Sequence, residues 1–184
     1  MGLLGMKTLE TPRLTLRAFR NSDLDDLYEY ARDPAVGPPA GWSPHSSRES
    51  SRRVLKTFIQ RKETWAIVED ISGRVIGSIG LHNDYRRTND RARNLGYALG
   101  RPWWGKGYAT EAARRVLEYA FEELRLEMVT VNHYPFNVAS KRVILKCGFH
   151  YDGTLRNAGK LVDGAPYDDV CYSMLRHEFH NETP

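Results

Sequence analysis

The stretch from Leu95 to Leu124 limits the possible folds more than any other part of the chain. Leu95 to Leu99 reads as a strand, and Ala109 to Leu124 reads as a helix. Between them lies Arg101-Pro102-Trp103-Trp104-Gly105-Lys106-Gly107-Tyr108-Ala109-Thr110-Glu111. Two glycines at the mouth of a helix let several backbone N–H groups point at one anion. The helix start adds about half a positive elementary charge from its macrodipole. Strand, glycine turn and helix together form a seat for a phosphate or pyrophosphate.

The helix is marked by its spacing. Ala109, Ala112, Ala113, Val116, Leu117, Ala120, Phe121 and Leu124 fall on one apolar face. Glu111 with Arg115, and Arg114 with Glu118, stand four residues apart on the other face. Two common phosphate loops do not fit. Gly100 to Lys106 matches the start of a Walker A loop, but Gly107 stands where that loop needs Ser or Thr for magnesium. No later strand ends in a metal-binding Asp. The dinucleotide pattern needs a third glycine where this chain has Thr110.

The rest of the chain supplies a sheet for this unit. Arg13 to Phe19 alternates as a strand. Asn21-Ser22-Asp23 caps a helix with Leu24, Leu27, Tyr28 and Ala31 inward. A proline-rich loop, Ala35 to His45, carries Trp42, which needs packing. Ser46 and Glu49 form a capping box for a helix with Val54, Leu55, Phe58 and Ile59 inward. Arg48, Arg52, Arg53 and Lys56 lie on its solvated face. Thr64 to Glu69 and Val75 to His82 make a hairpin through Asp70-Ile71-Ser72-Gly73. Gly77 and Gly80 predict a bulge or a close backbone approach. Strands follow at Arg93 to Leu99 and Met128 to Asn132. Asn137 caps a short helix that ends at Gly148 with apolar Phe149 behind it. Two last strands lie near Tyr151 to Arg156 and Tyr167 to Leu175, joined by a loop at Gly159 to Gly164.

At 184 residues, with 41% hydrophobic side chains, the chain suits one globular domain over 1–184, with 1–8 as a loose tail. No apolar run is long enough to span a membrane. The Met1-Gly2 start lacks both a secretory pattern and the Ser or Thr of a myristoylation site. Cys147 and Cys171 have no metal-ligand spacing and read as buried thiols of a reducing cytoplasm. His177 and His180 lack a third ligand, so no metal is expected. The net charge of +4 is mild, and no basic stripe interleaved with aromatics suggests direct nucleic-acid binding.

Four segments, in order, resemble the GCN5-related N-acetyltransferase (GNAT) family, in the branch that acetylates ribosomal-protein N-termini. They are Leu9-Glu10-Thr11-Pro12-Arg13-Leu14-Thr15-Leu16-Arg17, Asn94 to Leu99 with Trp104 to Ala112, Asn137 to Phe149, and Asp168 to Leu175. The resemblance implies a mixed α/β fold: a mostly antiparallel, twisted sheet of about seven strands with about four helices, splayed between strands four and five. It implies a cytoplasmic enzyme, monomer or homodimer, that uses acetyl-CoA without a metal. Acetyl passes directly to a primary amine, either a ribosomal or other protein N-terminus or a small polyamine, amino acid or drug. A non-catalytic acyl-CoA sensor is the alternative.

The resemblance also assigns residues. Main-chain groups of Trp104, Gly105, Lys106, Gly107, Tyr108, Ala109 and Thr110 would hold the pyrophosphate. Those of Tyr97, Ala98 and Leu99 would pair with the pantetheine arm, with an amide near Ala98 or Leu99 facing the thioester oxygen. Asn137 would hydrogen-bond that arm, although capping alone explains an Asn there. Ser140 would protonate the leaving thiolate; a serine here also suits a bond to its own i−4 carbonyl. Many relatives use a Tyr one turn later, where this chain has Ile144. Asn94 holds the catalytic position where relatives often carry a basic Glu, and an amide takes no proton. The base is left open among His45, His133, Asp169 and a water chain, while Glu111 reads as a structural ion pair. Trp42, His45, Tyr97 and Trp104 would line the acceptor slot.

Overall fold

The computed structural model describes residues 6–181, with side chains through Phe179. In chain order the elements are β1 (Leu9–Glu10), β2 (Leu14–Ala18), α1 (Leu24–Ala31), α2 (Arg48–Arg61), β3 (Thr64–Glu69), β4 (Val75–Asn83), β5 (Ala92–Leu99) and α3 (Tyr108–Glu118). They continue with β6 (Met128–His133), α4 (Val138–Lys146), β7 (His150–Lys160), β8 (Pro166–Leu175) and α5 (Arg176–Asn181). The fold is mixed α/β, with one eight-stranded sheet in the order β1-β2-β3-β4-β5-β6-β8-β7. The expectation of about seven strands omitted β1, and that of four helices omitted α5. Both are too short to carry a periodic signal.

The chain divides into two compact units, Met1–Gly80 with Tyr97–Ala112, and Leu81–Gly96 with Ala113–Pro184. In the first unit β2 pairs antiparallel with β1 and β3, and β3 with β4. The core joins Phe19, Leu24, Leu27, Tyr30 and Leu55 to Ala66, Val68 and Val75. Tyr30, not Tyr28, completes the inner face of α1. Asp23 holds the N-cap position of α1, but its carboxylate forks onto Arg17 at 2.8 and 2.9 Å and accepts the Arg20 N–H. The box at α2 sits one residue later than expected. Ser47 caps it and Ser50, not Glu49, reaches back. Of the side chains expected inward on α2, Leu55 is buried, and Phe58 and Ile59 pack partly against the core.

The N-terminal tail expectation falls partly on residues 1–5, outside the described residues. Lys7 is tied down, since its carbonyl accepts the Trp65 indole N–H at 2.8 Å. The bulge expected in β4 is present. Ile67 faces Gly77 while Val68 faces Val75, so β4 carries one extra residue. Gly77 also lies where a Cβ would overlap the Ala98 carbonyl oxygen and stand 3.0 Å from Leu99 Cα.

In the second unit β6 pairs parallel with β5 over three residues, Ala92–Met128 to Asn94–Thr130, and antiparallel with β8, which pairs with β7. This short parallel ladder joins the fourth and fifth of the strands expected from sequence. Val116, Leu117, Ala120 and Phe121 are buried. After Glu118 the helix widens into a π-turn over Tyr119–Glu123, and Leu124 N–H bonds Tyr119 O. The wider turn shifts the phase of the apolar stripe, which leaves Leu124 exposed rather than inward. α4 ends as expected: Gly148 at φ 84° bonds Leu145 O, and Phe149 bonds Ile144 O. β7 and β8 both extend further than expected, so their connection shrinks to residues 161–165. Among the described residues no helix is long and apolar enough to cross a membrane.

Gly77→Ala should destabilise the fold by about 1–3 kcal/mol, because the β4 backbone must move away from Ala98. Urea denaturation of the two proteins measures this, and an unchanged midpoint would contradict the close approach.

Candidate functional site

In the first unit the glycine turn has the conformation that its composition requires. Gly105 has φ 74° and Gly107 φ 83°, a region that side chains strain to enter. Its chain neighbours aside, no heavy atom of the described residues would lie within 4 Å of a Cβ on Gly105. Lys106 and the turn around it are exposed. The Glu111 N–H bonds Gly107 O at 3.0 Å, so the amides before it stand at the open end of α3. The Trp104 indole N–H donates to Leu99 O at 2.6 Å, which folds the turn back onto the end of β5. Gly100 is closed in by the Trp103 ring and by Tyr30.

Glu111 braces this turn. Its Oε1 accepts the Thr11 hydroxyl at 2.7 Å and the Arg13 N–H at 3.0 Å, and its Oε2 accepts Arg13 Nε at 2.7 Å. The ion pair expected with Arg115 is thus made with Arg13, and Arg115 pairs with Glu118 at 3.4 Å. Arg114, expected opposite Glu118, donates to Lys146 O. Arg13 donates from Nη1 to Lys106 O at 3.0 Å and lies 4.4 Å from the centre of the Tyr108 ring. The Tyr108 hydroxyl donates to Glu69 Oε1 at 2.9 Å, and Glu69 Oε2 accepts from Ser72 at 2.7 Å. The turn is therefore fixed through the carbonyl of Lys106 and the ring of Tyr108. The Trp104 N–H at the entry to the turn bonds Arg101 O at 3.1 Å.

Trp42 and His45 lie together, with ring centroids 5.3 Å apart. His45 Nδ1 is 2.7 Å from the hydroxyl of buried Ser51. Burial pushes the His45 imidazole below its ordinary pKa. Trp42 packs over Gly37, as the need for a buried indole implied.

The second unit brings Asn94 into a polar cluster that sequence reasoning missed. Asn94 Nδ2 donates to Thr130 Oγ1 and to Asn132 Oδ1, both at 3.1 Å. The Thr130 hydroxyl donates to Asp84 Oδ2 at 2.9 Å. Asn132 Nδ2 donates to Asp169 Oδ1 at 2.8 Å. Asp169 is fully buried and forms an ion pair with Arg86. Arg87 bridges Asp84 at 2.9 Å and Asp152 at 2.7 Å. Burial opposes the Asp84 charge, but the Arg86 amide, the Thr130 hydroxyl and Arg87 together hold its carboxyl below the ordinary range. In sequence Asn94 and Asp169 stood out separately, and the alternation of Thr130 and Asn132 with Val129 and Val131 was the one further sign.

Asn137 caps α4, its Oδ1 accepting the Ser140 N–H at 3.0 Å. Both residues are half-buried, whereas Ile144, one turn on, is fully in the core. His133 is buried. Its Nδ1 lies 2.7 Å from Tyr134 O, and its Nε2 has no hydrogen-bond partner among the described residues. Burial pushes the Cys147 thiol up to about 11. Among the described residues no group of His, Cys, Asp and Glu is arranged to hold a metal ion. The pairing of His177 with His180 lies outside the described side chains.

The Glu111 contacts predict an acid-sensitive brace. Burial works against its charge, and Thr11 and Arg13 more than compensate, so its folded pKa is depressed. A depressed carboxyl contributes stability above its unfolded pKa of about 4.3 and loses it as pH falls through the folded value. Glu111→Gln should therefore lower stability at neutral pH and flatten its fall below about pH 4.3. Urea midpoints measured against pH test this; parallel curves for the two proteins would exclude the brace.

Comparison with known proteins gives a family for the chain. The family model for the acetyltransferase (GNAT) domain matches residues 13–150. The chain is 31% identical over 179 residues to the uncharacterized N-acetyltransferase p20 of Bacillus licheniformis, covering 95% of this chain and 99% of that protein. It is 35% identical over 189 residues to the FsC-acetyl coenzyme A-N(2)-transacetylase of Aspergillus fumigatus, covering 97% of this chain and 80% of that protein. A GNAT-family acetyltransferase structure from Bacillus anthracis superposes with a TM-score of 0.85 at 22% identity, covering 93% of this chain and 99% of that one.

Proposed function

From the premise that the chain belongs to the GNAT family of N-acetyltransferases, we propose that it carries acetyl directly from acetyl-CoA to a primary amine. The observation that carries this reading is the left-handed turn at Gly105 and Gly107, braced by Arg13 and open at the first turn of α3. Such a turn suits a diphosphate. Successive amides at a helix start can bond one anion, the glycines leave room for close approach, and Lys106 adds an exposed positive charge. The acceptor we favour is a protein N-terminus, such as that of a ribosomal protein, from the resemblance of the segments at Leu9 to Arg17 and Asp168 to Leu175. A small-molecule amine is the second reading.

The roles follow from chemistry. Main-chain amides from Gly105 to Thr110 hold the diphosphate, without that of Trp104, which is bonded to Arg101 O, and main-chain groups of Tyr97 to Leu99 pair with the pantetheine arm. An amide near Ala98 or Leu99 steadies charge on the thioester oxygen. Asn137 bonds the arm as well as capping α4. The neutral amine attacks the thioester carbon, a C–N bond forms and the C–S bond breaks. The amine's proton passes to water, and Ser140 relays one from water to the departing thiolate, so that its hydroxyl is restored. An α-amine loses its proton near pH 7.7–8.0, so the acceptor is partly neutral without a strong base. Trp42 and His45 contribute to the acceptor slot. Cys147 takes no part as a nucleophile, since a thiol held near 11 is protonated at neutral pH.

Thioester consumption with a panel of peptide and small-molecule amines tests the reading. Turnover with at least one amine is expected, without acetyl on Cys147 by mass spectrometry. Acetyl-CoA binding without turnover on any amine would favour a sensor instead. Gly107→Ala should weaken acetyl-CoA binding about tenfold or more, because a Cβ at φ 83° costs about 1–2 kcal/mol and forces the turn to relax. Unchanged affinity in calorimetry would remove the turn from the binding site.

A further inference from the structure

The polar cluster around Asn94 has a direction, and that direction fixes what Asn94 offers a ligand. Amide oxygen and nitrogen look alike by shape, so their orientation follows from what their partners can accept or donate. An ionised carboxylate only accepts. Asp84 is held in its charged form by Arg87 at 2.9 Å, so Thr130 must donate its one hydroxyl hydrogen to Asp84. Thr130 Oγ1 is then left to accept from Asn94. The same reasoning starts from the other end. Asp169 is paired with Arg86, so Asn132 must turn its NH2 toward Asp169 and its Oδ1 toward Asn94. Both routes lead to one result. The two hydrogens of the Asn94 amide are consumed inside the cluster, one on Thr130 and one on Asn132.

We propose that the buried carboxylates Asp84 and Asp169 clamp Asn94 so that its Oδ1 is the atom it presents, and that this oxygen accepts a hydrogen bond from the attacking amine. This proposal rests on the acetyltransferase reading and deepens it, because Asn94 orients the acceptor without taking its proton. Asn94 as a whole is half-buried rather than sealed in the core. An uncharged acceptor locked in place suits a neutral amine: it takes one N–H and leaves the nitrogen lone pair for attack. A freely rotating Asn would offer donor and acceptor equally and would select neither. Thr130 and Asn132 are positioning residues that act through Asn94.

Asn94→Ala should raise KM for the acceptor amine about tenfold, the worth of one such bond, and leave the acetyl-CoA dissociation constant unchanged. Asn132→Ala, which removes one clamp without touching substrate, should move the same parameter in the same direction. An unchanged amine KM in Asn94→Ala, or an effect confined to acetyl-CoA binding, would overturn the proposal. NMR of the unaltered protein gives a readout that does not depend on variants folding. The two Asn94 side-chain hydrogens should appear as a resolved pair protected from water, shifting when a turned-over amine is added. Rapid exchange of that NH2 with water would show that the clamp is absent. If no amine is ever acetylated, the enzyme reading fails, while the protected pair still reports whether the clamp exists.

Discussion

One carboxylate holds the glycine turn to the start of the chain. Glu111 reaches across 98 residues of sequence to the Arg13 N–H, and it takes the Thr11 hydroxyl and the Arg13 guanidinium as well. Charge-assisted bonds of this kind are short and directional, so they set a geometry as well as adding stability. Arg13 passes the constraint on. It grips the Lys106 carbonyl and covers the Tyr108 ring, and Tyr108 in turn is anchored to Glu69. The carbonyl side of the turn is therefore occupied by protein. Gly105 and Gly107 take the positive φ angles that the turn needs. A glycine loop held in one conformation in this way would spare an anionic ligand the entropy of ordering it, as the proposed diphosphate site requires.

The second unit uses buried charge differently. Asp84 and Asp169 would be costly alone, and each is paired with arginine and bonded to neutral polar groups. Such a cluster contributes little net stability compared with an apolar core of the same volume. What it supplies is direction. Each carboxylate leaves its neighbour one way to orient, and the chain of choices ends at Asn94. A residue that looks like a loss of basicity in sequence becomes a fixed acceptor in structure.

Sequence pattern reached the parts of this protein that depend on neighbours in the chain. The strand-turn-helix at Leu95 to Glu118, the bulge signalled by Gly77 and the end of α4 at Gly148 all follow from local rules, and all are present. The misses involve partners distant in sequence or a change of helical pitch. Arg115 stood at the helical spacing to meet Glu111, and nothing local showed that Arg13 would take its place. Thr130 and Asn132 alternate with valines in the strand, but Asn94 and Asp169 join them only when β5, β6 and β8 pair, and Asp84 reaches Thr130 from the loop after β4. Leu124 fell on the right phase for a regular helix and was displaced by the π-turn before it. Short β1 had no pattern to read, yet its turn into β2 supplies Thr11 and Arg13 to the brace.

The most direct measurement is a crystal structure with coenzyme A bound. The account predicts diphosphate oxygens hydrogen-bonded to main-chain amides between Gly105 and Thr110, with Arg13 still on the Lys106 carbonyl. A diphosphate seated elsewhere, with those amides facing only solvent, would contradict it.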